Sequence, residues 1–232
     1  MYRRLIGLVV LVVALAIPLA PSARALGTSM LSDGFDSYPA NVSWTDGSGH
    51  GNWKAVYNGY GVTKVVADAG RRSDVLQEKP KSSTSPGETH AGLVKSNASF
   101  GDFDSTVQMK TVGQLRTPTP NAWEVGWVLW HYTDDSHFYY FVPKPNGWEL
   151  GKEDPAYPGA QRFLATGSNP TFPVGRWYTV RIRQVSNAIT VWVNGAQVAS
   201  FTDTQGPYLS GSLGLYNEDS QVRFDGVTVS AP

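Results

Sequence analysis

Side chains that could transfer protons are concentrated between Ala122 and Asp154, a segment that also holds four of the eight Trp residues. Imidazole, phenol, ammonium and carboxylate groups are the usual acids and bases of enzymes, and this segment offers all four kinds at short spacing. Flat aromatic side chains nearby offer stacking surfaces to a ligand. The predicted catalytic residues are His131, Tyr140, Lys144 and Glu149, and the predicted substrate-binding residues are Trp127 and Phe138.

Two consecutive β-hairpins would place these side chains on one sheet. The runs 123–132 and 137–144 are rich in β-branched and aromatic residues, as half-buried strands are. Asn146-Gly147 predicts a type I′ turn into a third strand over 148–152, because both residues tolerate positive φ. Pairing Tyr132 with His137 and alternating faces gives an apolar core face of Val128, Trp130, Tyr139, Phe141 and Leu150. The opposite face carries Trp127, Leu129, His131, Phe138, Tyr140, Val142, Lys144 and Glu149.

This second face carries both aromatic and charged side chains, which predicts a ligand surface. A structural alternative stays open: Lys144 and Glu149 would form an ordinary cross-strand ion pair, and the aromatic residues would only pack. A one-residue slip or a bulge would exchange the two faces.

The N-terminus predicts export. Residues 1–25 have the pattern of a signal peptide, with Arg3 and Arg4, an apolar run, and an Ala-Arg-Ala cleavage site at 23–25. The mature chain, 26–232, keeps 16 of the 19 basic residues against 19 acidic ones, a net charge of −3. We therefore expect a secreted protein with no nucleic-acid partner and, after cleavage, no membrane partner.

The remaining chain predicts an all-β fold. It is rich in Gly and Pro, has no cysteine, and shows no helical periodicity over ten or more residues. Fifteen short candidate strands are too many for one open sheet, so two packed antiparallel sheets in a single domain are expected. Two polar segments, 79–88 and 117–121, are predicted to form loops, and the second lies immediately before the central hairpins in the sequence.

The C-terminal third carries a recognisable pattern. Its four segments are, in chain order, Gly175-Arg-Trp-Tyr-Thr-Val-Arg-Ile-Arg183, Ile189-Thr-Val-Trp-Val-Asn-Gly-Ala-Gln-Val198, Gly211-Ser-Leu-Gly-Leu-Tyr216 and Val222-Arg-Phe-Asp-Gly-Val-Thr-Val229. Together they resemble the concanavalin A-like jelly-roll superfamily, and within it the laminin-G-like and 3-keto-disaccharide hydrolase (family 16 glycosidase-like) domains. Core and turn residues carry this resemblance, so it implies a jelly-roll sandwich more strongly than a chemistry.

Two chemistries can be weighed on the predicted face. The acid pair of family 16 glycosidases, Glu-x-Asp-x-x-Glu, is not found, although Glu149 could contribute one carboxylate with Glu124, Asp134 or Asp135. Elimination on uronic-acid polymers needs an acid and a base, commonly Tyr or His, with cations to neutralise the sugar carboxylate. His131, Tyr140 and Lys144 suit that second chemistry.

A structural calcium ion is expected, because jelly-roll domains often join their first and last strands with one. Asp33, Asp36 and Asp225 are the predicted ligands, since they would approach one another if the termini pair. The four His residues lack zinc-binding spacing, and no organic cofactor is expected. The leading hypothesis is a secreted protein that binds an extracellular polysaccharide or oligosaccharide, and cleavage by hydrolysis or elimination stays open; the alternative is a non-catalytic carbohydrate-binding or adhesion module.

Overall fold

The computed structural model describes residues 28–232, all of whose regular elements are β-strands. They form two antiparallel sheets stacked as a sandwich, so the predicted all-β, two-sheet, single-domain fold is confirmed. No helix capable of crossing a membrane is found in this part of the chain. The predicted signal peptide, 1–25, and its cleavage point lie outside the described residues, so secretion stays a prediction.

Sheet A has nine strands in the order β15-β14-β13-β8-β17-β6-β5-β2, and β1 pairs with the end of β17. The pairing of β1 with β17 joins the two ends of the described chain, which is the condition on which the predicted calcium site depended. The bounds are β1 Ser29–Asp33, β2 Ser43–Trp44, β5 Val62–Asp68, β6 Ser73–Lys79, β8 Phe103–Gln114, β13 Tyr178–Val185, β14 Ala188–Val193, β15 Ala196–Thr202 and β17 Ser220–Ser230.

Sheet B has eight strands in the order β12-β11-β10-β9-β16-β7-β4-β3. The bounds are β3 Gly49–His50, β4 Trp53–Tyr57, β7 Ala91–Ser96, β9 Gly126–Asp134, β10 His137–Lys144, β11 Gly147–Glu153, β12 Gln161–Gly167 and β16 Ser212–Glu218. Strands β9 to β11, predicted from the Trp-rich segment, lie in the middle and at one side of this sheet. Within the described residues, β2 and β3, of two residues each, were not predicted, because such short strands carry no periodic pattern.

The main core lies between the two sheets. Strand β8 alternates buried and half-buried residues over most of its length, which is the period-2 pattern of a strand with one face in the core. From the Trp-rich segment, the residues predicted for the core face all lie there: Val128, Trp130, Tyr139, Phe141 and Leu150. The predicted assignment of these five is confirmed.

The outer face of sheet B carries a second apolar cluster. Leu93 of β7 packs there with side chains from β9 and β10, namely Trp127, Leu129, Tyr132, Phe138, Tyr140 and Val142. The central strands of sheet B are therefore apolar on both faces, and these side chains belong to the face predicted for a ligand. Tyr132 replaces His131 in this set.

A β-bulge at His131 explains the exchange. Tyr139 pairs with Trp130 in the predicted register, but His137 pairs with Asp134 instead of Tyr132. His131 has a left-handed φ of 48° and turns its ring away from the outer face. The predicted position of His131 on the ligand face is wrong, because two extra residues in β9 bend the strand there.

The turn between β10 and β11 also lies one residue earlier than predicted. Lys144 pairs with Gly147, so Pro145 and Asn146 are the central residues. Gly147 begins the strand with φ 136°, and a Cβ there would lie 2.0 Å from the Gly167 carbonyl oxygen. Lys144 thus pairs with Gly147 instead of Glu149, a shift of two residues in the register of β10 and β11. An even shift leaves every side chain on its predicted face.

Candidate functional site

A cleft of about 550 Å³ opens on the outer face of sheet B. Aromatic and acidic side chains line it, and among the described residues no basic side chain belongs to this lining. The lining residues are Tyr57, Trp123, Trp127, Asp135, Phe138, Glu149, Glu153, Gln161, Phe163, Tyr216 and Glu218. Six aromatic rings and four carboxylates in one concave surface match the chemistry of sugars, which present apolar C–H faces and hydroxyl donors.

Trp127 lies in the floor of the cleft. Its ring is packed against Tyr140 at 5.0 Å and Tyr216 at 5.3 Å between centroids, and its indole N–H donates to the Trp123 carbonyl oxygen at 2.9 Å. Only 5% of Trp127 is exposed. The structure therefore gives Trp127 a supporting position as well as a place in the lining, and Phe138 is placed similarly on the next strand.

Two more exposed rings stand at the edges of the cleft. Trp123 is 45% exposed and Phe163, on β12, is 53% exposed. Both line the cleft and have faces open to a ligand. Neither was predicted from the sequence, because a loop residue and an edge-strand residue lack the alternation that marks a face.

Arg116 fixes the loop that carries Trp123. The buried guanidinium group pairs with Glu124 and with Asp219, the latter at 2.8 Å, and donates to the carbonyl oxygens of Ser85 and Glu88. It thereby connects the polar loop 79–88 and the segment of Glu124 to Asp219, which follows the end of β16. Multiple charge-assisted hydrogen bonds of this kind hold a loop in one conformation.

Glu218 is the acid with the most altered proton affinity in the cleft. Burial raises the pKa of its carboxyl group from 4.5 to about 7, and the nearby charges of Asp219, Glu124 and Glu153 also raise it. Tyr216 donates a hydrogen bond of 2.7 Å to Glu218 Oε1. Burial raises the pKa of Tyr216 well above its ordinary value, so this hydroxyl stays protonated. Near neutral pH, Glu218 therefore exchanges protons readily.

Glu153 and Asp135 are two further acids of the cleft lining. Burial raises the pKa of Glu153 above its ordinary value. Asp135 lies in the turn between β9 and β10, and its Oδ1 accepts hydroxyl groups from Tyr57 at 3.2 Å and Tyr132 at 2.8 Å. These bonds hold the tip of the hairpin over one side of the cleft.

The predicted catalytic pair Lys144 and Glu149 forms an ion pair. Glu149 lines the cleft, whereas Lys144 does not. Their contact is therefore the cross-strand ion pair that the sequence offered as the alternative to a catalytic role. Because Lys144 is paired with Glu149 and the described cleft lining holds no basic group, the cleft gives no support to elimination on uronic acids.

Tyr140 is buried beneath the cleft lining. Its ring occupies the space left by Gly151 on the neighbouring strand, where a Cβ would lie 2.3 Å from the Tyr140 hydroxyl oxygen. Gln161 Nε2 donates to that oxygen at 3.0 Å. Burial raises the pKa of Tyr140, so the hydroxyl stays protonated. It supports the face rather than contacting a ligand directly.

His131, the fourth predicted catalytic residue, lies on the other side of β9. It is 1% exposed, and its ring contacts Phe103 of the main core at 5.5 Å between centroids. Its two ring nitrogens lie 2.7 Å and 3.0 Å from the carbonyl oxygens of Tyr208 and Gly101. It is therefore separated from the cleft by the sheet, and its predicted catalytic role finds no support.

The predicted calcium ligands do not form a metal-binding group. Asp33 accepts hydrogen bonds from the side chains of Tyr38, Asn52 and Trp53, and Asp225 is paired with Arg71 at 2.7 Å. Asp36 Oδ1 accepts the Asp74 amide at 2.8 Å. No group of three or more His, Asp or Glu side chains in residues 28–232 is arranged to hold a metal. Each of the three carboxylates therefore has a partner within the protein, and calcium binding stays a prediction.

Comparison with known proteins agrees with the resemblance inferred from the C-terminal third. The family model of 3-keto-alpha-glucoside-1,2-lyase-like domains matches residues 40–230. The chain belongs to this family. Family membership supports a carbohydrate-active function. No curated protein sequence matches the chain.

Solved structures with the same fold include a carbohydrate-binding module, CBM66, from Bacillus subtilis, with 15% identity and a TM-score of 0.56 over 78% of this chain and 96% of that one. A glycosidic hydrolase has 13% sequence identity and a TM-score of 0.56, and the match covers 90% of this chain and 100% of that one. An endo-β-galactosidase from Clostridium perfringens that releases GlcNAcα1-4Gal has 9% sequence identity and a TM-score of 0.54. The match covers 91% of this chain and 65% of that one. At these identities the likeness shows the shared fold.

Proposed function

We propose that the cleft binds a glucoside and that Glu218 removes a proton from it. The observation that carries this proposal is the half-buried Glu218 carboxyl group, held by the Tyr216 hydroxyl at 2.7 Å inside an aromatic cleft. A base whose pKa lies near neutrality is efficient at physiological pH, because it is largely deprotonated yet still binds a proton well.

The family name suggests a reaction that suits this arrangement: 1,2-elimination from a 3-keto-α-glucoside. A ketone at C3 makes the hydrogen on C2 acidic. Glu218 takes that proton, the C1–O bond breaks, and a C1=C2 double bond forms beside the ketone. The departing oxygen needs a proton, which an acid in the cleft must supply.

Glu153 is our candidate for that acid. Burial raises the pKa of its carboxyl group, so a larger fraction stays protonated near neutral pH than for an exposed Glu. Its charge also raises the pKa of Glu218, which places the two carboxyl groups within electrostatic range in one cleft. The charge of Glu153 disfavours ionisation of Glu218, and two carboxyl groups coupled in this way can divide the roles of acid and base.

The aromatic residues hold the sugar. Trp123 and Phe163 present open faces at the edges, and Trp127 lies in the floor. Because stacking needs no charge on the ligand, and because the lining is acidic, a neutral sugar suits this cleft better than a uronic acid.

The test is incubation with a 3-keto-α-glucoside, measured by ultraviolet absorbance of the conjugated enone and by release of the leaving alcohol. Wild-type protein is expected to produce both. Glu218→Gln keeps an acceptor for the Tyr216 hydroxyl but cannot act as a base, so turnover should fall roughly 10²- to 10⁴-fold with little change in binding. Asp154→Asn, outside the cleft lining, is the control. Release of a reducing sugar without the enone would indicate hydrolysis and would overturn elimination.

A non-catalytic glycan-binding role is the second candidate. The observation that favours it is the Lys144–Glu149 ion pair, which engages one of the four cleft acids in a structural contact. A carbohydrate-binding module is also among the proteins that share the fold. In that case glycans would bind with no product formed, and Glu218→Gln would change affinity only slightly.

A further inference from the structure

A second cavity adjoins the cleft on the other side of Tyr57. Its volume is about 300 Å³, and its lining is Asp46, Tyr57, Gly59, Tyr60, Thr89, His90 and Ala91. Tyr57 belongs to both linings, so the side chain of one residue is the shared wall of the two spaces.

Tyr60 presents its ring to solvent at the mouth of this cavity. It is 87% exposed, more than any other large hydrophobic residue of the described chain. One side of the ring is supported, because it meets the imidazole of His90 edge to face with 5.8 Å between centroids. His90 in turn is buried, and its Nδ1 lies 2.9 Å from the Ser83 hydroxyl. The rest of the Tyr60 ring stays available to a ligand.

The backbone beneath Tyr60 is strained. The Gly61 amide donates to the Asn58 carbonyl oxygen at 3.1 Å, and the two central residues have positive φ, 61° at Gly59 and 59° at Tyr60. A turn of this kind strongly prefers Asn-Gly or Gly-Gly, and a bulky aromatic residue at such a position is a genuine outlier. Strained residues of this kind cluster at binding and catalytic sites.

The turn has little freedom to relax. A Cβ on Gly59 would lie 2.6 Å from the Ala91 carbonyl oxygen, and one on Gly61 would lie 2.1 Å from that of Lys79. The neighbouring backbone therefore leaves no room for a side chain at either glycine. This close packing fixes the direction in which Tyr60 points. Asp46 adds a polar acceptor to the lining, since its carboxylate has no hydrogen-bond or ion-pair partner in residues 28–232.

We propose that this cavity is an outer subsite for a further sugar unit of a glycan held in the cleft. Tyr60 would stack on the apolar face of that sugar, and Asp46 would accept its hydroxyl groups. The natural ligand is then a neutral glucose-containing oligosaccharide of at least three units rather than a single disaccharide. This inference rests on the proposed function of the cleft.

The experiment measures the affinity of α- and β-linked glucose oligomers of two to six units by isothermal titration calorimetry. Wild-type affinity is expected to rise about tenfold between the dimer and the longer oligomers. Tyr60→Asn removes the ring and supplies a residue that tolerates positive φ, so the protein should fold at least as well as the wild type. It should bind the dimer normally and lose the rise with length.

Two further variants sharpen the result. Tyr60→Phe retains the ring and should retain the length dependence, and Tyr157→Ala removes an exposed tyrosine outside both cavities and should also retain it. The inference is overturned if Tyr60→Asn keeps the length dependence, or if the wild type binds the dimer as tightly as the hexamer. Failure of the wild type to bind any oligomer would instead overturn the proposed function, and the subsite with it.

Discussion

The hydroxyl group of Tyr57 donates a hydrogen bond to Asp135 Oδ1 across 3.2 Å, although the two residues are 78 positions apart in the chain. Tyr57 ends β4, near one edge of sheet B, and Asp135 lies at the tip of the β9–β10 hairpin. The same carboxylate oxygen accepts the Tyr132 hydroxyl at 2.8 Å. One carboxylate therefore joins the hairpin tip to a strand three places away in the sheet and limits the width of the cleft.

The first prediction concerns this link. Tyr57→Phe removes one hydrogen bond and keeps the ring, so unfolding free energy should fall by about 0.5–1.5 kcal/mol and ligand affinity should fall a few-fold. Backbone amides at 134–136 should exchange hydrogen faster, because the tip has lost an anchor. Tyr178→Phe, which removes a hydroxyl bonded to the Pro173 carbonyl oxygen far from the cleft, serves as the control. Unchanged exchange at 134–136 would show that the tip needs no such anchor.

The second prediction separates stacking from packing. Trp123 is 45% exposed, so Trp123→Ala should weaken glycan binding by about 1–3 kcal/mol while costing little stability. Trp127→Ala should lower unfolding free energy by about 3–5 kcal/mol, because it empties a buried site. Tyr157 is equally exposed, at 45%, but lies outside the cleft. Tyr157→Ala should therefore change neither glycan binding nor unfolding free energy. Calorimetric titration and urea unfolding measure the two effects, and equal binding by wild type and Trp123→Ala would remove Trp123 from the site.

The third prediction concerns pH and does not depend on any activity. Glu218 has its pKa raised to about 7 in the folded protein, so between pH 4.5 and 7 the folded state binds its proton more tightly than the unfolded state does. Stability from this residue is therefore fully present at low pH and is lost as pH rises through that window. Glu218→Gln should be more stable than the wild type at pH 8, by on the order of 2–3 kcal/mol, and similar at pH 4.

Glu88→Gln provides a control of opposite sign. The amide of Thr84 and other hydrogen bonds lower the pKa of Glu88, so its ionised form favours the folded state above the ordinary carboxyl pKa. Its replacement should lower stability at pH 8 and leave stability at low pH unchanged. Urea unfolding at a series of pH values measures both variants. A constant difference between wild type and Glu218→Gln at all pH values would mean that Glu218 titrates as an exposed carboxyl group does.

The fourth prediction tests the new assignment of His131. His131→Asn suits the left-handed backbone but cannot reach both carbonyl oxygens, so unfolding free energy should fall by about 1–3 kcal/mol. Activity per folded molecule, or ligand affinity, should stay at the wild-type value. A fall of roughly 10²-fold or more in turnover, with folding intact, would restore the catalytic role that the sequence suggested.

The sequence by itself determined the sandwich and, apart from His131, the two faces of β9 to β11. Alternation with period 2 is a local property of the backbone, so counting along the chain separates Trp130, Tyr139 and Phe141 from Trp127 and Tyr140 without any knowledge of the fold. The face assignment survived a turn displaced by one residue, because the resulting register shift was even. Fold recognition from the C-terminal segments succeeded for the same reason, since core and turn residues carry local signals.

The tertiary structure alone decided which residues form the cleft. Tyr57, Asp135 and Glu218 come from three distant parts of the chain, and no local pattern states that they meet. The bulge turns His131 away from this face and towards the carbonyl oxygens of Gly101 and Tyr208, and these contacts are non-local as well. The raised pKa of Glu218 arises from burial under neighbouring strands, and burial is a property of the packed molecule rather than of the sequence around one carboxyl group.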